Sequence, residues 1–302
     1  MAEPIAAPIP NPQTNRPIAG IAWMFVSGIC FIAVTAAVKH GAQNLPAAQS
    51  AFLRYIFGIL FLIPMIGPMR RAGLNRRQLG VFTVRGIAHT IAVTLWFYAM
   101  TRITMAEVTA MNYMTPIYIT LGAALFLGEK VALRRFIAIA FAFIGALIIL
   151  RPGMREISDG HLAMIATAVF FGVSYLSAKL MADELPASVV VGMLTVTVTI
   201  GLFPLALIYW QTPTVEELFW IFIVAVFATL GHYTMTVALA SAPVSVTQPV
   251  VFLQLVWSTA LGALFFSEPA DFWVILGGTL IIASATFIAI REAMLKRREA
   301  HL

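Results

Sequence analysis

Apolar runs long enough to cross a bilayer recur along the whole chain, and no other feature constrains its fold as strongly. A helix rises about 1.5 Å per residue, so a hydrocarbon core about 30 Å thick needs roughly 20 apolar residues. Charged residues and Pro/Gly punctuation divide the sequence into ten such runs, at 18–38, 47–67, 78–100, 105–127, 132–150, 160–179, 187–209, 216–239, 244–266 and 272–290. Hydrophobic residues make up 61% of the chain and charged ones 11%, more apolar surface than a soluble core hides, so lipid is the expected solvent. Pro64, Pro116 and Pro204 fall inside runs. Neighbouring spans can satisfy the carbonyls they free, so they predict kinks rather than breaks.

Basic residues outnumber acidic ones, 19 to 13, but they cluster between the runs instead of forming a phosphate-binding stripe, and no nucleic acid partner is expected. Placing the N-terminus in the cytoplasm leaves only Lys39, Arg102, Arg151 and Arg155 on the outer side. The positive-inside rule therefore predicts both termini cytoplasmic. Residues 1–17 hold five prolines and one basic residue, read as a disordered tail without a signal peptide's charged start; residues 291–302 read as a basic tail. A single cysteine, Cys30, excludes a disulfide framework and a cysteine metal cage, and neither metal nor cofactor is expected.

Sliding the chain on itself superposes Gly20, Phe31, Lys39, Leu45-Pro46-Ala47 and Pro64 on Gly160, Phe171, Lys179, Leu185-Pro186-Ala187 and Pro204. Further on, Ala99 and Glu129 match Ala238 and Glu268. The pattern reads as a duplication of a five-run unit, 18–150 and 151–290. Five is odd, so the second copy enters the membrane inverted. The expected fold is an all-α membrane protein of ten transmembrane helices in two inverted five-helix repeats, with a substrate site near the midplane between them.

Gly128-Glu129-Lys130, Ser267-Glu268-Pro269 and the Leu-Pro-Ala turn followed by Phe52-Leu53-Arg54-Tyr55 resemble the drug/metabolite transporter superfamily, in its ten-span EamA-type branch. Within it, Glu107-Val108, Asn112-Tyr113 and Pro116 in the fourth run are similar to the bacterial aromatic amino-acid exporters. The resemblance implies a multi-pass protein of the bacterial inner membrane that exports amino acids or similar small metabolites, without enzymatic activity. An intramembrane enzyme would need converging catalytic groups, and the sequence offers no paired intramembrane carboxylates or Cys/His cluster.

Polar groups in the bilayer interior are costly and mark cavities. All acidic residues fall in tails or near run ends, which points to facilitative uniport; proton-coupled export of a drug or metabolite would fall to His89 and His232. Arg85, His89 and Trp96 share one face of the third run. Arg85 is expected to snorkel toward the cytoplasm and Trp96 to anchor the outer interface, leaving the shorter His89 facing a cavity. Asn112 and Tyr113, beside the Pro116 bend, lead the substrate candidates, with Phe170, Phe171, Ser174, Tyr175 and Gln254 alongside. Lys39 and Lys179 end equivalent runs on opposite membrane sides as anchors or gates, and Glu129 and Glu268 are expected to cap or pair there. The small faces Ala138/Ala142/Gly145 and Gly277/Gly278/Ala283/Ser284 suit close helix packing or homodimerisation.

Overall fold

The computed structural model describes residues 17–118, 121, 133–154, 156–182, 184–241 and 244–299. All regular elements among the described residues that carry the architecture are helices. They are α1 (Pro17–Gly41), α2 (Ala47–Ile59) running through a 3-10 turn (Leu60–Met65) into α3 (Ile66–Arg71), α4 (Arg76–Met100) and α5 (Met105–Asn112). After these come α6 (Leu133–Leu150), α7 (Asp159–Ala182), α8 (Ala187–Ile208), α9 (Val215–Ser241), α10 (Val244–Phe266) and α11 (Phe272–Glu299).

Among the described residues, six helical segments are long and apolar enough to cross a membrane: Ile18–Gly41, Arg76–Met100, Asp159–Ala178, Ser188–Ile208, Val215–Met235 and Phe272–Arg291. Ala47–Ile63, Phe136–Leu150 and Leu253–Phe266 are shorter apolar helices. The fourth run is helical from Met105 to Asn112 and then turns through Tyr113 and Met114; its far end, with Glu129, lies outside the described residues, as do residues 1–16. The basic segment after residue 290 is not a separate element, because its Ala, Leu, Lys, Arg and Glu residues prolong α11 to Glu299.

Local chemistry explains the helix starts. Asn75 Oδ1 accepts from Gln78 N–H at 2.9 Å while Gln78 Oε1 accepts from Asn75 N–H at 3.0 Å, a reciprocal cap on α4. Thr104 and Glu107 repeat the device on α5 at 3.2 and 2.9 Å. The duplicated Leu-Pro-Ala turns put Pro46 and Pro186 at the N-caps of α2 and α8, their φ fixed at −53° and −58°. Pro64 falls in the 3-10 turn, whereas α8 runs through Pro204 unbroken.

The most extensive packing joins the first half of the sequence to the second: α1 on α9, α4 on α7, α6 on α11 and α1 on α10, with α2 on α8 next. At the α6–α11 crossing a Cβ added to Gly145 would sit 2.7 Å from the Gly277 carbonyl oxygen and 2.8 Å from the Ile281 side chain. Gly278 meets Leu255 and Ala110 in the same way. The small faces suited to close packing or homodimerisation are thus consumed inside the chain, with Ala142 and Ser284 buried and only Ala283 outward. This removes them as a dimer surface. The outer surface instead carries Phe136, Leu147, Ile200 and Phe203, all more than half exposed, while Ser27, Thr167, Ser174, Thr234 and Ser258 are buried. That inversion of polarity is what a lipid solvent selects.

Candidate functional site

A proline nitrogen cannot donate to the carbonyl four residues earlier, which for Pro116 is that of Asn112. The helix accordingly stops at Asn112. The break sets the Asn112 side chain at a void of about 20 Å³, room for about one water, lined by Phe31 and Thr35 of α1, Trp96 of α4, Val108 and Thr109 of α5 and Gln254 of α10. Asn112 Oδ1 and Trp96 Nε1 are buried without a hydrogen-bond partner among the described residues. Thr35 and Thr109 contribute no free donor, since their hydroxyls bond to Phe31 O at 3.2 Å and Met105 O at 2.8 Å. Gln254 lies over Gly28, where an added Cβ would stand 3.0 Å from its Cγ. An orphaned buried donor or acceptor costs about 1–3 kcal/mol. One donor and one acceptor are thus left unpartnered on residues that line a single void.

Below this void the aromatic rings continue. Trp96 meets Phe171 at 6.1 Å, Phe171 stacks on Tyr175 at 5.7 Å, and His89 packs on Phe171 at 5.0 Å. His89 Nδ1 and Ser174 Oγ share a 3.0 Å hydrogen bond between α4 and α7. His232 of α9 meets the edge of Phe31 at 5.1 Å. Phe170 is half-buried and makes no ring contact with this group among the described residues.

Two arginines complete it. Arg54 lies 4.1 Å over the Tyr55 ring. Arg85, only 5% exposed, donates Nη1 to Val190 O at 2.8 Å and keeps a buried, unpartnered Nε. Both lie within electrostatic reach of His89, His232 and Tyr175, and among the described residues no carboxylate pairs with either. A central charge costs about 2.5–3.5 kcal/mol on insertion scales. Arg85 therefore does not snorkel as expected: the Val190 carbonyl on α8 holds it inside the bundle. Trp96 likewise faces the interior void and not the outer interface. Tyr113 is 7% exposed in the apolar core, its hydroxyl bonded to the Leu255 backbone, and does not line the void.

At the Lys39 end of α1, Lys39 Nζ donates to Ile103 O at 2.8 Å and forms an ion pair with Glu268. Glu268 Oε2 also accepts from Met105 N–H at 2.8 Å, capping α5 from the end of α10. Arg151, just past the end of α6, and Asp271, just before α11, form a second ion pair. The Lys179 side chain lies outside the described residues. Sequence reasoning missed the buried contact of His161 Nε2 with Glu107 Oε1 at 3.2 Å, both side chains 5% exposed. Its members stand 54 residues apart, and no local pattern pairs them.

Comparison with known proteins agrees with this helical bundle. A riboflavin transporter of Vibrio cholerae is 29% identical over 297 residues, covering 95% of this chain and 98% of its own. An S-adenosylmethionine uptake transporter of Rickettsia felis is 25% identical over 293 residues, covering 96% and 99%. A pseudopaline exporter of Pseudomonas aeruginosa is 27% identical over 270 residues, covering 88% and 94%. A protein of solved crystal structure shares the fold at a TM-score of 0.57 and 18% identity, over 90% of this chain and 96% of that one. The sequence profile of the EamA-like transporter family matches twice, at residues 18–151 and 158–290. The chain is therefore a membrane protein of the drug/metabolite transporter superfamily and belongs to the EamA-like transporter family.

Proposed function

We propose that the protein carries a small amphipathic metabolite with a planar ring by alternating access between two inverted five-helix halves, with Trp96, Asn112 and Gln254, which here line a void of about one water, forming the polar end of its site. The observation that carries this reading is the orphaned pair, Asn112 Oδ1 and Trp96 Nε1, on two residues that line one void beside a helix break. The packing supports the inverted arrangement. The sequence correspondence exchanges α1 with α7 and α4 with α9, which turns the α1–α9 contact into the α7–α4 contact. The relatives' riboflavin and S-adenosylmethionine are both heteroaromatic, in keeping with an aromatic corridor that ends in amides. The acid-poor interior favours facilitative movement, with both termini in the cytoplasm of a bacterial inner membrane.

Export of aromatic amino acids is the reading that Asn112-Tyr113 and Pro116 favour within this class. Counterflow in proteoliposomes separates these substrates: tryptophan, phenylalanine, riboflavin and S-adenosylmethionine are offered with and without a pH gradient. Saturable flux of one of them without a gradient, lost in Asn112→Leu, is the expected result. Flux only under a gradient would replace uniport by proton coupling through His89 and His232.

A further inference from the structure

We infer that Arg54 and Arg85 form an anion-binding subsite of the same transport path, so that the carried metabolite bears a carboxylate or phosphate as well as a ring. This rests on the proposed transport reading and goes beyond it by fixing the charge of the substrate.

Arg85 stands nine residues into the 25-residue α4, about 14 Å from its start, which is near mid-membrane for a span of that length. Its guanidinium has five N–H donors. The structure gives one of them a carbonyl and leaves Nε buried and unpartnered. Arg54 rests on the Tyr55 ring and has no carboxylate partner among the described residues. Around these cations stand neutral or ring-bearing groups, His89, His232, Tyr55 and Tyr175, and no described carboxylate. Buried charges persist when paired or hydrogen-bonded, and a second positive charge in reach of the same rings makes an anion the fitting partner.

The spacing also suits one molecule. Eleven residues of helix separate Arg85 from Trp96, about 16 Å along α4. Phe171 and Tyr175 pack along the stretch between them in this conformation, and Asn112 and Gln254 stand at the far end. An anionic group at the arginines, a planar ring along the corridor and a hydrogen-bonding edge at the amides fill all three parts.

The test measures binding to the purified full-length protein in a neutral detergent, by quenching of tryptophan fluorescence and by thermal shift. It uses two ligand pairs, one near-isosteric and differing in charge, indole-3-acetate against indole-3-acetamide, and one differing by an added anionic group, riboflavin 5′-phosphate against riboflavin. At least one anion should bind about tenfold to hundredfold more tightly than its neutral partner, the range of one or two charge-assisted hydrogen bonds. Arg85→Gln and Arg54→Gln should erase that difference without weakening the neutral ligand, and Arg85→Lys should restore part of it. The wild-type comparison stands even where a variant fails to fold. If no anion outbinds its neutral partner, the subsite is overturned. Equal stabilisation by inorganic phosphate alone, or by phosphatidylglycerol in nanodiscs, would overturn the assignment to a transported metabolite in favour of a free anion or a lipid headgroup. Saturable flux of a neutral ring compound as fast as its charged congener would defeat this inference and leave the transport reading intact.

Discussion

Replacing Glu268 with glutamine removes the charge that faces Lys39 while keeping an oxygen that the Met105 N–H can use. Two unit charges about 4 Å apart at an effective dielectric near 20 attract by about 4 kcal/mol. The two side chains are 14% and 10% exposed, so the freed ammonium regains part of its hydration and keeps its bond to Ile103 O. A net loss of about 2 kcal/mol follows, between surface pairs at about 0–1 and buried ones at about 3–5 kcal/mol. If the pair latches α1 to the end of α10 in this conformation, that loss shifts the population toward a state in which the two separate by about 30-fold. Thr35, one helical turn before Lys39 and 4% exposed beside the void, reports the change. A Thr35→Cys reporter in a Cys30→Ser background, treated with an impermeant maleimide from the Lys39 side, should react about 30-fold faster in Glu268→Gln. Adding Lys39→Met should produce no further rise. A rate within about twofold of the parent, or independent additive effects of the two substitutions, would refute the latch.

Trp96→Phe removes an orphaned donor, so its melting temperature should hold or rise while flux falls; a fall in both would make Trp96 structural. Gly277→Val drives a side chain into the Gly145 backbone and should cost at least about 1–3 kcal/mol, read as lost folded yield. Gly67→Ala, with open space around it, should leave that yield unchanged. Outside the spans, Glu184 accepts hydrogen bonds from Arg77 at 2.6 Å and Gln78 at 3.0 Å, which hold its carboxyl below the usual carboxylate range. Its contribution is present above the unfolded value of about 4.3 and is lost as pH falls through the folded one. Arg77→Gln should therefore flatten the acid limb of a plot of unfolding midpoint against pH, and an unchanged limb would remove Glu184 from the account.

Much of the helix pattern can be read directly from the amino-acid sequence, because span length, proline turns and capping boxes are local. Pro46, Pro186 and the Thr104/Glu107 box begin helices whose starting points the runs already mark. Asn112 and Gln254 are legible as site candidates because amides in an apolar run need an explanation, and both line the void. Arg85 and Trp96 depart from expectation for one reason. Snorkelling and interface anchoring are sound defaults for a lone helix, but here α8 offers the Val190 carbonyl and α5 and α10 enclose the indole.

Run length and repetition along the chain suffice to establish that it lives in lipid, that its regular structure is helical and that one unit is written twice. Helix packing supplied everything else. It turned the small faces of α6 and α11 onto one another, brought His161 to Glu107 and Lys39 to Glu268, and gathered two arginines around the same rings. Those contacts depend on how helices rotate and cross, and a helical run carries its own faces but not the identity of the neighbour that each face will meet.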